Sequence, residues 1–362
     1  MRPFLTLIRL PNLLIIAFTE YMMRYAVVQP LIRQYGFEFQ LSDFTFFCLV
    51  VATICTAAAG YAINDYFDVK TDMINRPDKV IVGKSINRRR VMMIHIIFCI
   101  AGIVLGGYVT WRAGVPQLVI LFIVVAGMLW LYSFIYKRQF LIGNLIVSLF
   151  TSLVPMMVLL DIPSLNRVYR QELLDAGTNL NMVIFWIFGF SIFAFLSTLS
   201  REIVKDTEDF EGDKAYGCRS VSIVLGTSAT KWIIISINMV MVVTLGYVFW
   251  KFLRYDPDGT FNYLSFFYLL VLIIFPLLWV NRNVCKANDS NDYRKISNWM
   301  KWIMLAGILY SIPGVLCQQA NTHHTRATSG ISVPNDKQGY NRTPANLYDI
   351  DQPGSVSSVI GI

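Results

Sequence analysis

Apolar residues run through this chain in long blocks instead of alternating with polar ones at short period. Nine blocks occupy roughly residues 10–32, 43–63, 91–110, 115–136, 139–160, 180–200, 232–250, 260–280 and 298–317. Each approaches the ~20 residues that a helix needs to cross the hydrocarbon of a bilayer. Backbone groups in that setting must be satisfied within their own segment, so each block predicts a helix. The expectation is an all-α fold, a polytopic membrane helical bundle of about nine transmembrane helices over residues 1–317. From Gln318 the pattern stops. Residues 318–362 are rich in Asn, Ser, Thr, Gly and Pro and show no apolar period, which predicts a disordered polar tail. Asn341-Arg342-Thr343 in that tail fits a glycosylation sequon, a pattern short enough to arise by chance.

Composition agrees with the pattern. Of 362 residues, 55% are hydrophobic and 15% charged, against about a quarter charged in soluble domains. The first block is not a signal peptide, because no small-residue cleavage site follows it and the apolar run continues past Glu20. Six cysteines (48, 55, 99, 218, 285 and 317) have no paired spacing, which argues against a disulfide framework and a zinc site. Three histidines, one inside an apolar block and two in the tail, argue against histidine chemistry.

Charge orients the bundle. With nine spans, the N-terminus and the 64–90, 137–138, 201–231 and 282–301 stretches share one side and carry 21 Lys and Arg; the opposite connections carry seven. The positive-inside tendency then makes the N-terminus cytoplasmic and puts the tail outside. A net charge of +8 follows from this bias and from anionic lipid and diphosphate partners, so nucleic acid need not be invoked. The setting is a cell membrane crossed many times.

Two acidic arrays change the picture from membrane protein to membrane enzyme. Asn64-Asp65-x-x-Asp68-x-x-x-Asp72 follows the second block, and Asp206-x-x-Asp209-x-x-x-Asp213 follows the sixth. Carboxylates beside hydrocarbon are costly unless paired, hydrated or bound to metal. Spacings of three and four stack their oxygens on one helix face. Two such faces form a cage of hard oxygen donors suited to Mg2+, and metal held that way grips a diphosphate. One array alone would pass for a helix cap, where Asn and Asp are common; a second one argues against that. Glu202, Glu208 and Glu211 read as ordinary solvated charges on other faces. Each array continues into basic residues: Arg76, Lys79, Lys84 and Arg88–Arg90 after the first, Lys214 and Arg219 after the second. This is a weak internal repeat at a four-span interval. Both loops lie on the side read as cytoplasmic, which puts the active site there.

Other charged groups read two ways. Arg201 and Lys205 reach phosphate oxygens or simply end a span with snorkelling cations. Tyr132-Ser133-x-x-Tyr136-Lys137-Arg138 closes the fourth block as a cationic anchor or a diphosphate contact. Glu20 and Arg24, four apart in the first block, predict a structural salt bridge.

Here a resemblance becomes specific. Gly60-Tyr61-Ala62-Ile63-Asn64-Asp65-Tyr66-Phe67-Asp68-Val69-Lys70-Thr71-Asp72, with Ile74-Asn75-Arg76-Pro77 after it, resembles the first signature of the UbiA superfamily of intramembrane prenyltransferases. Arg201-Glu202-Ile203-Val204-Lys205-Asp206-Thr207-Glu208-Asp209-Phe210-Glu211-Gly212-Asp213 resembles the second. Asn-Arg-Pro directly after the first array, and Arg-Glu-Ile-Val-Lys-Asp opening the second, are most similar to the digeranylgeranylglyceryl phosphate synthase branch. Lys79-Val80 departs from that branch, which usually has Arg-Pro there. The resemblance implies Mg2+ ligation by Asn64, Asp68, Asp72, Asp209 and Asp213, with Asp65 and Asp206 as outer ligands or spare carboxylates. It implies diphosphate contacts from Arg76, Lys137 and Lys205.

The expected reaction is Mg2+-dependent transfer of a polyprenyl group, geranylgeranyl by the branch resemblance, from its diphosphate to a lipid-soluble acceptor. Leaving-group charge would be neutralised by metal and cations, and the allylic cation shielded by aromatic faces such as Tyr66, Tyr132, Tyr136 and Phe195. Geranylgeranylglycerol phosphate is the first acceptor to consider, giving an ether lipid. Asp65 and Asp206 would take the hydroxyl proton, and Lys79, Lys84 and Arg88–Arg90 supply cations for the acceptor phosphate. An aromatic acceptor of quinone synthesis is the alternative. A secondary transporter is a remote one, since transporter carboxylates lie near the bilayer midplane and these lie at span ends.

Overall fold

The computed structural model describes residues 2–33, 36–175, 180–255 and 259–313. A short helix, α1 (Arg2–Leu7), leads into α2, which runs over Leu10–Tyr21, loosens into a π turn at Met22–Val28 and ends as Gln29–Arg33. Pro11 sits in the first turn of α2, where its missing N–H has no helical partner to lose. Then follow α3 (Asp43–Asn75), α4 (Arg88–Arg112), α5 (Pro116–Phe134), α6 (Ile142–Val168) and α7 (Asn181–Glu208). The chain closes with a one-turn α8 (Phe210–Ala215), α9 (Val221–Leu253), α10 (Tyr263–Lys286) and α11 (Ser290–Leu309). Ser42 caps α3 by accepting from the Thr45 amide at 3.2 Å.

A helix covers every predicted apolar block, and no strand forms among the described residues. Seven helices (α3 to α7, α9 and α10) are long and apolar enough to cross a membrane. The tail predicted from residue 318 lies outside the described residues. Several helices overrun their blocks, two of them where the acidic arrays lie. The second block ends near residue 63, yet α3 continues to Asn75; the sixth ends near residue 200, yet α7 continues to Glu208. The first array therefore rides on unbroken helix.

Two hubs organise the bundle. The first, α3, packs chiefly on α4 and then on α5, while α7 packs on α6, α11 and α9. Small residues on α4 bring it close to both neighbours: a β-carbon at Gly102 would lie 2.5 Å from the Thr56 hydroxyl of α3, and one at Gly106 2.5 Å from the Phe122 ring of α5. His95 of α4 adds a bond from Nδ1 to the Ala59 carbonyl at 3.0 Å. Between the hubs lies α2, which touches α3, α6 and α7. Ile63, Ile203 and Val204 are fully buried, while Ile97, Val104, Val243 and Phe275 face outward, as lipid contact demands.

The expected Glu20–Arg24 salt bridge is not formed. Arg24 turns toward the end remote from the arrays, where its Nη2 donates to the Leu41 carbonyl at 2.7 Å and reaches Asp43 at 3.3 Å. The rings of Phe39 and Phe46 sandwich the guanidinium at 4.0 and 4.4 Å. A backbone carbonyl and two aromatic faces hold it more closely than one flexible carboxylate one turn away. Glu20 is left fully buried, with neither carboxylate oxygen hydrogen bonded.

Candidate active site

The last three turns of α3 present Asn64, Asp65, Asp68 and Asp72. Asn64 donates from Nδ2 to Asp68 Oδ2 at 2.7 Å. Lys137, from the single turn Tyr136–Arg138 after α5, forms an ion pair with Asp68 and reaches Asn64 Oδ1 at 3.5 Å. Gly143 lets that turn sit close to α6, since a β-carbon there would stand 3.0 Å from the Lys137 Cα. Asp65 points elsewhere, to Arg9 Nη2 at 2.9 Å, and the Arg9 guanidinium in turn lies 4.9 Å over the Tyr61 ring.

The second array departs from the single stripe its spacing predicts. Helix α7 ends at Glu208, Asp209 occupies the joint, and Asp213 belongs to α8. Asn75 and Arg76, at the end of α3, hold that joint. Arg76 Nη2 donates to Asp209 at 2.8 and 3.1 Å and reaches Glu208 at 2.9 Å. Asn75 donates to the Asp209 carbonyl at 3.2 Å and accepts from the Gly212 amide at 2.9 Å. Glycine at 212 leaves room for that contact, because a β-carbon would come within 2.3 Å of Asn75 Oδ1 and displace it. Asp206 lies one turn back on α7, where Asn144 of α6 donates to its Oδ2 at 2.7 Å. Lys205 pairs with Glu202 at 3.2 Å.

The arrays thus meet at one end of the bundle, with Lys137 and Arg76 joining them. Burial works against the Lys137 charge, but Asp68 and then Tyr132 outweigh it, so its pKa rises. Asp213, felt by the same ammonium, is pushed up to about 6, first by burial and then by Asp209 and Asp68. Burial likewise raises Asp209 above the usual carboxylate range, despite Arg76. Among the described residues, no three acidic, histidine or cysteine side chains converge on one point; Lys137 and Arg76 instead supply the positive charge. The donor set of four carboxylates and one amide is nevertheless what a hard cation takes.

All ten predicted site residues fall in this region, though with unequal partners. Two glutamates were misread as solvated. Glu208 is buried, with Arg294 of α11 at 2.9 Å as well as Arg76. Glu202 takes Arg201 at 2.7 Å on one oxygen and Lys205 on the other. Its place was legible, since 202, 206 and 209 are spaced by four and three and share a face. Asn144, Asn75 and Arg9 gave no comparable signal, because their partners lie 62, 134 and 56 residues away.

A family model described as the UbiA prenyltransferase family matches residues 32–305. The chain belongs to this family. As a UbiA prenyltransferase it has full-length relatives. It is 27% identical over 318 residues to the digeranylgeranylglyceryl phosphate synthase of Methanosphaera stadtmanae, covering 87% of this chain and 100% of that one. To the synthase of the same name from Pyrococcus horikoshii it is 35% identical over 178 residues, 49% of this chain and 55% of the other. The UbiA homolog from Aeropyrum pernix K1 superposes with a TM-score of 0.55 at 13% identity, covering 81% of this chain and 96% of that one. A structure described as addressing digeranylgeranylglyceryl phosphate synthase in membranes gives 0.54 at 23%, covering 86% and 98%. The two superpositions establish the UbiA fold, and the resemblance drawn from the two acidic signatures is borne out.

Proposed function

We propose that this UbiA prenyltransferase moves a geranylgeranyl group from its diphosphate to the free hydroxyl of geranylgeranylglycerol phosphate, using Mg2+. The observation that carries this reading is the meeting of two acidic arrays around Lys137 and Arg76, in a chain whose full-length relatives bear the synthase name. Asn64, Asp68, Asp72, Asp209 and Asp213 would hold the metal. When bound, Mg2+ neutralises charge developing on the departing diphosphate. Lys137 and Arg76 then turn from carboxylates to phosphate oxygens, and Lys205 approaches from the next turn. Tyr132 faces the charges of Lys137, Asp68, Glu202 and Asp206, so its ring is placed to shield the allylic cation. The hydroxyl oxygen bonds to the allylic carbon as the carbon–diphosphate bond breaks, and a carboxylate takes the proton. Asp206 suits that step better than Asp65. Its partner Asn144 is neutral, whereas Asp65 is committed to the Arg9 cation.

Nine spans, a cytoplasmic N-terminus and a cytoplasmic site complete the reading, with residues 1–317 as the bundle and 318–362 as a polar tail. The test is purified protein supplied with geranylgeranyl diphosphate and a panel of acceptors. EDTA abolishes turnover and Mg2+ restores it; Asp68→Ala and Asp209→Ala each lower kcat at least a hundredfold, whereas Glu211→Ala is mild. Preference for 4-hydroxybenzoate or a dihydroxynaphthoate would replace the ether-lipid acceptor with an aromatic one.

A further inference from the structure

A second cationic centre lies further along α7 and α11 than the arrays, with Lys301 on the exposed flank of α11. Arg294 and Glu208 pair at 2.9 Å and mark where α11 and α7 stand level. From there α11 runs inward to Lys301, seven residues on, and α7 runs back to Glu202, six residues away. At 1.5 Å per residue these are depths of about 10 and about 9 Å. The two helices pack together, so Lys301 and the Glu202 turn are neighbours. The charges of Arg201, Lys205 and Arg9 all repel the Lys301 ammonium, with Glu202 as its attractive neighbour. Among the described residues Lys301 has no ion-pair partner, and Arg201 keeps a buried Nε without a hydrogen bond. Glu202 divides its oxygens, Oε2 to Lys205 on the side of the arrays and Oε1 to Arg201. Lys205 belongs to the diphosphate side and Arg9 is paired with Asp65, which leaves Arg201 and Lys301, sharing the one carboxylate of Glu202, as positive charge that the diphosphate site does not use.

We infer that Arg201 and Lys301, with Arg9 at the rim, form the subsite for the phosphate of the acceptor lipid. The inference rests on the phosphorylated-acceptor reading above. A glycerol phosphate carries its phosphate only a few bonds from the hydroxyl that reacts, so its anion must sit within the same pocket as the diphosphate. Two polyanions side by side repel strongly at low dielectric unless each has its own cations. Lys137, Arg76 and the metal serve one, and the Arg201–Lys301 centre serves the other. Glu202 is the hinge between them, holding Lys205 and Arg201 apart while the acceptor is absent. Arg89 and Arg90, cations which the sequence alone also offered for this role, are exposed as Lys301 is, but they stand at the start of α4 and not on the packed pair α7 and α11.

Steady-state kinetics of the full chain in phosphatidylcholine nanodiscs test the subsite. Geranylgeranylglycerol phosphate is compared with geranylgeranylglycerol, at varied geranylgeranyl diphosphate. Lys301→Gln and Arg201→Gln should raise KM for the phosphorylated acceptor about tenfold or more, the scale of one charge-assisted hydrogen bond. KM for the diphosphate and for the unphosphorylated acceptor should stay within twofold. Lys301→Arg should restore the wild-type value, and Arg89→Gln should change little. If preference for the phosphorylated acceptor survives in both Gln variants, the subsite is wrong and the acceptor reading stands. If the wild type shows no such preference, the acceptor reading itself falls. Inhibition by added phosphatidylglycerol that vanishes in the Lys301→Gln variant, with unchanged acceptor KM, would reassign the centre to bulk anionic lipid.

Discussion

Asp213 shows at the scale of one residue what burial does to a carboxylate of the site. Its carboxyl, pushed from 3.8 up to about 6, binds a proton more tightly in the folded than in the unfolded chain. That proton stabilises the metal-free protein fully below pH 3.8, and the contribution is lost as pH rises through about 6. Thermal melting in EDTA should therefore show a downward slope in stability between those values that Asp213→Asn flattens. Adding Mg2+ at pH 7.5 should raise the melting temperature of the wild type more than that of the variant, because metal replaces the proton. A variant with an unchanged slope would remove Asp213 from the cage. At this scale the sequence was partly legible. Residue type and spacing pointed to Asn64, Asp68 and Asp72, of which Asn64 and Asp68 are partners one helix turn apart, whereas Lys137, 69 residues from Asp68, reads two ways in the sequence and was assigned only by the family resemblance. Spacing did not reveal that Arg76 grips Asp209 and Glu208, or that Asp206 answers to Asn144. Those pairs depend on which helices become neighbours, and a one-dimensional pattern carries no such information.

Among the elements, the joint between α7 and α8 bears on function most directly. Asn75 meets it with both ends of its amide, and Gly212 makes room for that contact. Gly212→Ala should push Asn75 away, break both bonds and shift Asp209 and Asp213 together. The expected loss is roughly 1–3 kcal/mol of stability and at least a tenfold fall in kcat from misplaced groups. Melting and turnover of the purified variant measure the two separately; native turnover would mean that the clamp does not set the site geometry. Helix existence was plain from the apolar blocks. Helix ends were not, since α3 and α7 run on through polar residues that tertiary contacts bury, and the α7 break at Asp209 has no glycine or proline to announce it.

At the scale of the whole molecule, both acidic hubs deliver their arrays to one end. Cysteines placed at the exposed Lys84 and Lys214 should accordingly react with a membrane-impermeant reagent from the same side, the cytoplasmic one in the proposed orientation. Labelling from opposite sides would undo the shared site and, with it, the prenyl-transfer reading. Seven helices are apolar enough to cross unaided, but α2 is not among them. It carries Glu20, buried with no hydrogen bond, and Arg24, held from the far loop and by two aromatic rings. Each such charge costs about 2.5–3.5 kcal/mol at mid-membrane during insertion. Order of synthesis and order of membrane entry then differ. The expected order is α3 first, with α2 following once α3 and α7 offer it a face. A nascent chain arrested before α7 should leave α2 outside the hydrocarbon, so the segment touching both hubs finds its place after helices made behind it.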